Sequence, residues 1–475
     1  MTGATAILIL FLVPQSTGAQ APAPAGPVQP AGPAAPAAAP PGALFGGVPA
    51  GTATASPLPL SLGDAIDRAL KQNLALLLAE QGVRQARGTR LEALSDVLPH
   101  LFGRVSAIRQ KINLEAFGFS GFPGIENPVI GPFNVFDSRL YVTEEFDLKN
   151  FEEARAETRR VEAARWTYQD TRELVVLVAG NLYLRGLSEQ SRIEEARAEL
   201  ETARALHQQA LDRKAAGLIP GIDVLRAEVE MRSREARLIE AETRAARSKL
   251  DLARAIGLPL GQEVQLTDPM PDPQPPPLTV EQALAMAFEN RADWKAALSR
   301  VGAAEASRRA AVGEALPGVS VDADYGAIGQ TFGGARNTYT LAGAVRVPIL
   351  QGGRVAGRVL AADAALKSAQ AGLEDLRGHI DYDVRTATLE LKAAADRHAV
   401  AQTARELARE QLRQAQDRFA AGVANNLDVV QAQQAVASAQ EDLISTVYDV
   451  NLARAGLGRA VGMAEQGFRQ LVRGQ

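Results

Sequence analysis

The stretch DRKAAGLIPGIDVLRAE, residues 212–228, recurs as DRFAAGVANNLDVVQAQ at residues 417–433. Each copy places a glycine at its sixth position, between an alanine-rich charged run and a following Asp-Val. Glycine favours the end of a helix, because it adopts a positive φ without strain. The stretch therefore predicts a helix, a tight turn and a second helix, and the offset between the copies also carries Gly257 onto Gly462.

A second pair of segments indicates that a whole unit is duplicated. SLGDAIDRAL at residues 61–70 resembles TVEQALAMAF at residues 279–288, and their offset carries Leu98-Pro99 onto Leu316-Pro317. The two offsets differ, so the first copy is longer in its middle. We predict a first repeat, a Pro-rich connection, a second repeat and a C-terminal tail, at residues 60–258, 259–278, 279–462 and 463–475.

Proline usage predicts two very long helices. No proline lies between Pro132 and Pro220 or after Pro348, and Ala, Leu, Glu, Arg and Gln dominate both stretches. We predict long helices over residues 150–215 and 352–420, each about 100 Å long at 1.5 Å per residue. Shorter helices are predicted in pairs at residues 62–97 and 222–256, and at 280–316 and 427–461. Two short helices placed end to end are together about as long as one long helix. Equal lengths are what a wall of helices around a hollow interior requires.

Alternating sequence predicts one β-hairpin in each repeat. Apolar and polar residues alternate at residues 136–143, 319–325 and 338–347, and less cleanly at residues 101–110. Four strands cannot close a membrane barrel, since even small ones need about eight. Open edges in lipid would leave backbone groups without partners. We therefore expect an oligomer, with twelve strands from three copies or eight from two.

The N-terminal region predicts export. The apolar run Ile7–Val13 is followed by small residues at Thr17 and Ala19, which is typical of a signal peptide over residues 1–21. The alternative is a disordered N-terminus with an incidental apolar patch. Residues 22–59 are rich in Ala, Pro and Gly and predict a mobile linker. No later segment reaches the roughly 18 apolar residues of a membrane helix, so a membrane crossing would require a β-barrel.

Composition argues against several classes of function. The 475 residues carry a net charge of -4, which gives no basic footprint for nucleic acid. The absence of cysteine excludes disulfides, thiolate sites and a lipid anchor on cysteine. There is no P-loop, and no pair of histidines has metal-ligand spacing among His100, His207, His379 and His398. We therefore expect no enzyme activity, no cofactor and no metal site.

Two motifs carry a resemblance to a known family. VPILQGGR at residues 347–354 and AAGVANNLDVVQAQ at residues 420–433, within the doubled unit, resemble the TolC-like outer membrane efflux proteins over residues 60–462. The resemblance implies a mainly α fold with a small β part: a long helical barrel plus a transmembrane β-barrel formed by a trimer. Each chain would supply four strands and two internal repeats. The β-barrel would lie in outer membrane lipid, the helices in the periplasm, and residues 259–278 in a belt around them.

The resemblance also implies where partners bind. The two helix turns would form a periplasmic tip that docks an adaptor (membrane fusion) protein joined to an inner-membrane transporter. The docking residues implied are Gly217, Leu218, Gly422 and Val423.

A periplasmic gate is implied next to that tip. Asp428 matches the acidic ring of the family and Asp223 its counterpart in the first repeat, whereas Gln431 stands where the family has a second acidic residue. Ala424 replaces a basic residue and Phe419 a tyrosine, so we expect a different closing network. The alternative is that these are ordinary turns, with Asp428 capping a helix.

The function implied is the outer membrane exit duct of a tripartite efflux or type I secretion system, a passive channel coupled to a pump. The alternative is a periplasmic coiled-coil spacer or adaptor protein without a membrane pore. That alternative explains the helices but not the amphipathic hairpins. A soluble enzyme is a third and remote interpretation.

Overall fold

The structure is a computed structural model that describes residues 42–117, 129–272, 278–421, 423 and 426–473. The predicted signal peptide and the first part of the predicted linker lie outside these residues. The α-helices are α1 Leu62–Gln72, α2 Leu74–Ser95, α3 Leu148–Ala215, α4 Gly221–Ala255, α5 Val280–Asn290, α6 Ala292–Gly313, α7 Arg354–Ala420, α8 Asn426–Ala460 and α9 Ala464–Arg473. The strands are β1 Leu58–Leu60, β2 His100–Asn113, β3 Val129–Phe146, β4 Val264–Leu266, β5 Gly318–Gly329 and β6 Arg336–Arg346.

The predicted long helices are confirmed. α3 has 68 residues and α7 has 67, while α4 and α8 have 35 each. At 1.5 Å per residue, α3 and α7 are each about 100 Å long. Across the described ranges, none of the helices combines the length and hydropathy that a membrane span requires.

The prediction of one unbroken helix over residues 62–97 is wrong, because the chain breaks at Asn73. This residue has ψ 131°, and its side chain accepts a hydrogen bond from the Ala75 N–H. The buried amide also donates to the carbonyl oxygens of Leu44, at 2.8 Å, and Ala255, at 3.2 Å. Asn73 therefore ends α1, begins α2 and binds the end of α4.

The second repeat breaks at the equivalent position, Arg291, between α5 and α6. Its ψ is 121°, and its buried guanidinium donates to the carboxylates of Asp293, at 2.6 Å, and Asp383, at 2.9 Å. Burial raises the pKa of the Asp293 carboxyl, but the Arg291 hydrogen bond and charge outweigh it, so the pKa is lowered overall. The same break is thus stabilised by an amide in one repeat and by ion pairs in the other.

Gly257 and Gly462 pack against these two breaks. Gly257 has φ +66°, and a Cβ atom there would lie 2.5 Å from the Gln72 Cβ. Gly462 has φ +75°, and a Cβ atom there would lie 2.7 Å from the Arg291 nitrogen. Both glycines are needed twice over, for the left-handed backbone conformation and for close backbone approach.

The predicted hairpins join into one antiparallel sheet with strand order β2-β3-β5-β6. β3 is longer than predicted, because it pairs with β2 as far as Val129 and with β5 as far as Phe146. Leu140, Tyr325 and Tyr339 stand opposite one another on an apolar face. On the other face, Arg139 binds Asp137 at 2.8 Å and Asp324 at 2.5 Å. β2 and β6 are the edge strands of the sheet.

The two ends of the described chain meet beside the middle of α3. β1, from the predicted linker, pairs in parallel with β4, from the Pro-rich connection. The predicted tail forms α9, whose Phe468 is 1% exposed against Gly180. The Glu173 carboxylate accepts a hydrogen bond from the Glu465 N–H at the start of α9, and burial raises the pKa of Glu173. α3 is therefore covered here by elements from both ends.

Gly462→Ala should destabilise the fold, because the new Cβ meets backbone and the positive φ is strained. We expect a loss of about 1–3 kcal/mol in the free energy of unfolding. Circular dichroism of the purified protein during heating in detergent measures it. Gly456→Ala is the matched control, since nothing lies within 4 Å of that position in α8. It should be neutral or stabilising by about 0.5–1 kcal/mol. Equal heat resistance of the two variants would contradict the close-packing role of Gly462.

Candidate functional site

The first helix turn is closed by backbone hydrogen bonds. α3 ends at Ala215, and Gly217 has φ +73°. The Gly217 N–H donates to the Lys214 carbonyl and the Leu218 N–H to the Arg213 carbonyl, both at 2.9 Å. These two hydrogen bonds form the pattern that ends a helix with one residue in the left-handed conformation. The glycine predicted from sequence therefore performs the turn.

Neighbouring aliphatic residues of this turn point in opposite directions. Ile219 is partly buried and packs on a small core of Ala210, Val224 and Ala227, which fastens α3 to α4. Leu218 is 73% exposed. The turn is therefore rigidly anchored while it presents an apolar side chain to the outside.

Leu218 begins an exposed apolar stripe along α4. Ile222, Leu225 and Val229 follow it, and all three are more than half exposed. Ile222, Leu225 and Val229 are three and four residues apart, which places them on one face of the helix, and Leu218 precedes them in the turn. Large apolar side chains in such a row are typical of a surface that another helix covers.

The second turn has a similar closing hydrogen bond of the backbone in the part that the structure describes. α7 ends at Ala420, and the Val423 N–H donates to the Arg418 carbonyl at 3.0 Å. Val423 is 68% exposed, as Leu218 is in the first turn. Gly422 and Ala424, singled out from sequence, lie outside the described residues.

The predicted gate residues lie in the first turns of the two following helices. Asp223 is partly buried in α4 and binds Arg226 at 3.2 Å. Asp428 is partly buried in α8 and has an interaction partner of its own, while Gln431 is exposed. Carboxylates in a first turn are favoured by the helix dipole, so the capping role stays open for both aspartates.

A cation–π contact links the two turns. The Arg213 guanidinium, in the last turn of α3, lies 4.9 Å from the ring centroid of Phe419, in the last turn of α7. The structure therefore brings the ends of the two long helices together. Phe419 was noted from sequence as a departure from the family, but its partner Arg213 was not.

A buried arginine joins three helices farther from the turns. Arg234 of α4 is 4% exposed and binds Glu199 of α3 at 2.7 Å and Glu230 at 2.6 Å. It also donates to the Gln434 side chain of α8 at 3.1 Å. A buried charge that loses its partners is strongly destabilising, so these side chains fix the helices relative to one another.

A second polar link runs between the repeats one to two turns away. Arg192 of α3 binds Glu189 at 3.0 Å and Glu441 of α8 at 2.8 Å. Between the two links, burial and the nearby Glu199 raise the pKa of the Glu195 carboxyl. Sequence reasoning missed both links, although one signal existed. Arg234 lies seven residues from Ala227 and Ala241, both buried, at a core position of the helix repeat.

The position of His379 does not favour a metal site. His379 lies 3.6 Å from Asp383, but it is exposed and Asp383 already binds Arg291. Within the described ranges, no group of three or more potential ligands is placed to hold a metal ion.

Comparison with known families and structures gives consistent matches. The sequence profile described as "Outer membrane efflux protein" matches residues 65–258 and 283–463. No protein among curated sequences matches this chain. The Campylobacter jejuni CmeC outer membrane channel is 17% identical with TM-score 0.71, covering 85% of this chain and 86% of that one.

Two further structures have the same fold. The outer membrane protein VceC of Vibrio cholerae is 22% identical with TM-score 0.70, covering 85% of this chain and 96% of its own. The open state of the Neisseria gonorrhoeae MtrE outer membrane channel is 19% identical with TM-score 0.68, covering 85% and 89%.

Proposed function

This chain belongs to the outer membrane efflux protein family, and we propose that three copies of it form the passive exit duct of a tripartite efflux or type I secretion system. The family consists of channels, not enzymes, and acts at the outer membrane. The alternative of a periplasmic spacer without a pore is not favoured by this membership.

The margins of a single copy support assembly. In the sheet, β2 forms one margin and β6 the other, and neither edge is paired with another described segment of the chain. In the helical part, α3 contacts α2 and α4 as well as α6 and α8, whereas α7 contacts α5, α6 and α8. One margin is therefore β2, α2 and α4, and the opposite margin is β6 and α7.

Exposed apolar side chains follow both helical margins. On α7, five large residues are each at least 66% exposed: Leu360, Tyr382, Leu389, Val400 and Leu407. On α2 and α4, the exposed ones include Leu78, Ile239 and Leu250. Such surfaces favour a partner in water, because burial of apolar area is the main driving force of association.

The two margins differ, so copies join head to tail and close into a ring. The β6 edge of one copy pairs with the β2 edge of the next, and α7 covers α2 and α4 of that neighbour. Three copies give a closed sheet of twelve strands above a wall of helices. This match of unpaired strand edges with exposed helix margins is the observation that carries the proposal.

Protein extracted from outer membranes in mild detergent should be a trimer. Light scattering coupled to size exclusion should give three times the mass of the mature chain, after subtraction of detergent. Leu389→Asp, in the middle of the row of exposed apolar residues on α7, should yield smaller species, because it places a charge in the interface between copies. Glu390→Gln, at an exposed position about 100° around α7 from Leu389, is the control. A monomer that still forms pores would contradict the proposal.

The two helix turns form the tip that docks a periplasmic adaptor. Support comes from the exposed row Leu218, Ile222, Leu225 and Val229 and from exposed Val423 in the second turn. An amphipathic helix of the adaptor would bury this row, in the way that helices recognise apolar grooves. The adaptor in turn connects the duct to an inner-membrane transporter, which supplies energy. Gly217 gives the first turn its shape through its positive φ.

Leu218→Glu should impair export and leave assembly unchanged. The charge would be buried at the docking surface, whereas in the single copy Leu218 is 73% exposed. Export is measured as accumulation of a fluorescent pump cargo in cells, and assembly by light scattering. Ala205→Glu, at an exposed position of α3 three turns from the turn, is the control. Normal export by Leu218→Glu would remove this turn from the docking surface.

Asp428 supplies a ring of three carboxylates at the narrow end of the duct, with Gln431 and Asp223 nearby. At about 8 Å, two unit charges repel by about 0.5 kcal/mol in water and roughly 2 kcal/mol at an effective dielectric of 20. A multivalent cation relieves this repulsion and therefore blocks the duct from the periplasmic side. The competing role for Asp428 is to stabilise the first turn of α8, of which it is the third residue.

Asp428→Asn should abolish cation block while the protein stays folded, because asparagine carries no charge but its side-chain oxygen still accepts a hydrogen bond in the first turn of α8. Planar-bilayer recordings with a trivalent cation on the periplasmic side measure the block. Gln431→Asp is the matched gain of charge and should strengthen the block by adding a second ring. Block that is unchanged in Asp428→Asn would make the carboxylate a helix cap only.

A further inference from the structure

A cleft between α2 and α3 has no role in the function described so far. It has a volume of about 470 Å³, and it is lined by Glu80, Val83, Arg84, Arg87, Glu162, Arg165, Trp166, Tyr168 and Gln169. This volume is in the range of sites that bind a substantial part of a molecule, not a single ion. Val83 is buried and forms the apolar floor of the cleft.

The cleft has an excess of positive charge. Its two carboxylates are each paired, Glu80 with Arg84 at 2.7 Å and Glu162 with Arg159 at 2.9 Å. Arg87 and Arg165 are exposed and have no ion-pair partner in the part of the chain that the structure describes. Two guanidinium groups are therefore available to bind carboxylates from outside the protein.

An aromatic side chain lies among these charges. Trp166 is partly exposed, and the Lys295 ammonium lies 4.9 Å from its ring centroid. Tyr168 also lines the cleft. Aromatic rings beside arginines suit a ligand that has apolar ring faces as well as anionic groups, as carboxylated sugars do.

The position of the cleft narrows the choice of ligand. Glu162, Trp166 and Gln169 continue, at intervals of four and three residues, the face of α3 that α9 covers at Glu173 and Gly180. The cleft is therefore an uncovered part of that face. It lies 16–23 residues along α3 from Phe146 at the end of the sheet, or about 24–35 Å at 1.5 Å per residue. That distance is beyond the reach of lipid headgroups around the sheet.

We propose that this cleft binds peptidoglycan, the carboxylated glycopeptide polymer of the cell wall. Arg87 and Arg165 bind carboxylates of its stem peptides, and Trp166 packs against its sugar or peptide faces. The periplasmic position of the cleft rests on the proposed function, whereas the binding itself does not. The site would hold the duct to the wall at a fixed height below the outer membrane.

Co-sedimentation of the purified protein with isolated peptidoglycan sacculi tests this proposal. The native protein should sediment with sacculi, and less so as salt is raised, because the contacts are ionic. Arg87→Gln and Arg165→Gln should each weaken the affinity by roughly tenfold, as expected for loss of one charge-assisted hydrogen bond. Trp166→Ala should weaken it without changing the salt dependence. Arg247→Gln, at an exposed arginine of α4, is the control and should bind normally.

Three outcomes would overturn the assignment. They are no binding of the native protein to sacculi, undiminished binding by the Arg87→Gln, Arg165→Gln double variant, and equal binding to sacculi whose carboxylates have been amidated. Vesicles of phosphatidylglycerol serve as a second probe, and preferential binding to them would assign the cleft to lipid. Light scattering of each variant reports assembly separately. A failure of the trimer proposal is therefore distinguishable from a failure of wall binding.

Discussion

The whole architecture depends on two short helices running end to end beside one long helix. In the first repeat this is achieved where the Asn73 amide binds the Ala255 carbonyl, while Gly257 lies against Gln72. A side chain larger than hydrogen at position 257 would push the helix ends apart. The second repeat uses Arg291 and Gly462 for the same purpose. Without these joints, α3 and α7 would have no continuous partner along their length, and the wall would have gaps.

Local sequence was sufficient for the framework of the fold. Proline spacing gave α3 and α7 to within about two residues, and alternation located all four strands of the larger sheet. Local sequence was not sufficient to predict the helix breaks at Asn73 and Arg291. Asn73 interrupts a helix because its amide binds a carbonyl 182 residues away, and no window of sequence contains that partner. α9 was not predicted for the same reason. Phe468 is buried against Gly180 of the first repeat, which is distant in sequence.

The candidate site could be predicted only in part. Glycine and the following aspartate located the first turn correctly, because a left-handed residue is a local requirement. The sequence could not predict which of Leu218 and Ile219 faces outward, because both are aliphatic. Only packing on Ala210, Val224 and Ala227 distinguishes them. Arg234 could have been noticed as a charge at a core position, but its partners lie on three helices. The duplicated halves have also diverged: α3 is packed on both sides within the chain, whereas α7 exposes large apolar residues along one side in the part that the structure describes.

The burial of Phe468 has a consequence for biosynthesis. Its ring belongs to the core of the first repeat, together with Ala43 and Leu60 from the opposite end of the chain. A ribosome releases that ring only after the second repeat has been made. The first half therefore cannot reach its final packing while the second half is still being translated and secreted. A truncated chain would display an open hydrophobic socket around Gly180, which is the kind of surface that periplasmic chaperones and proteases recognise.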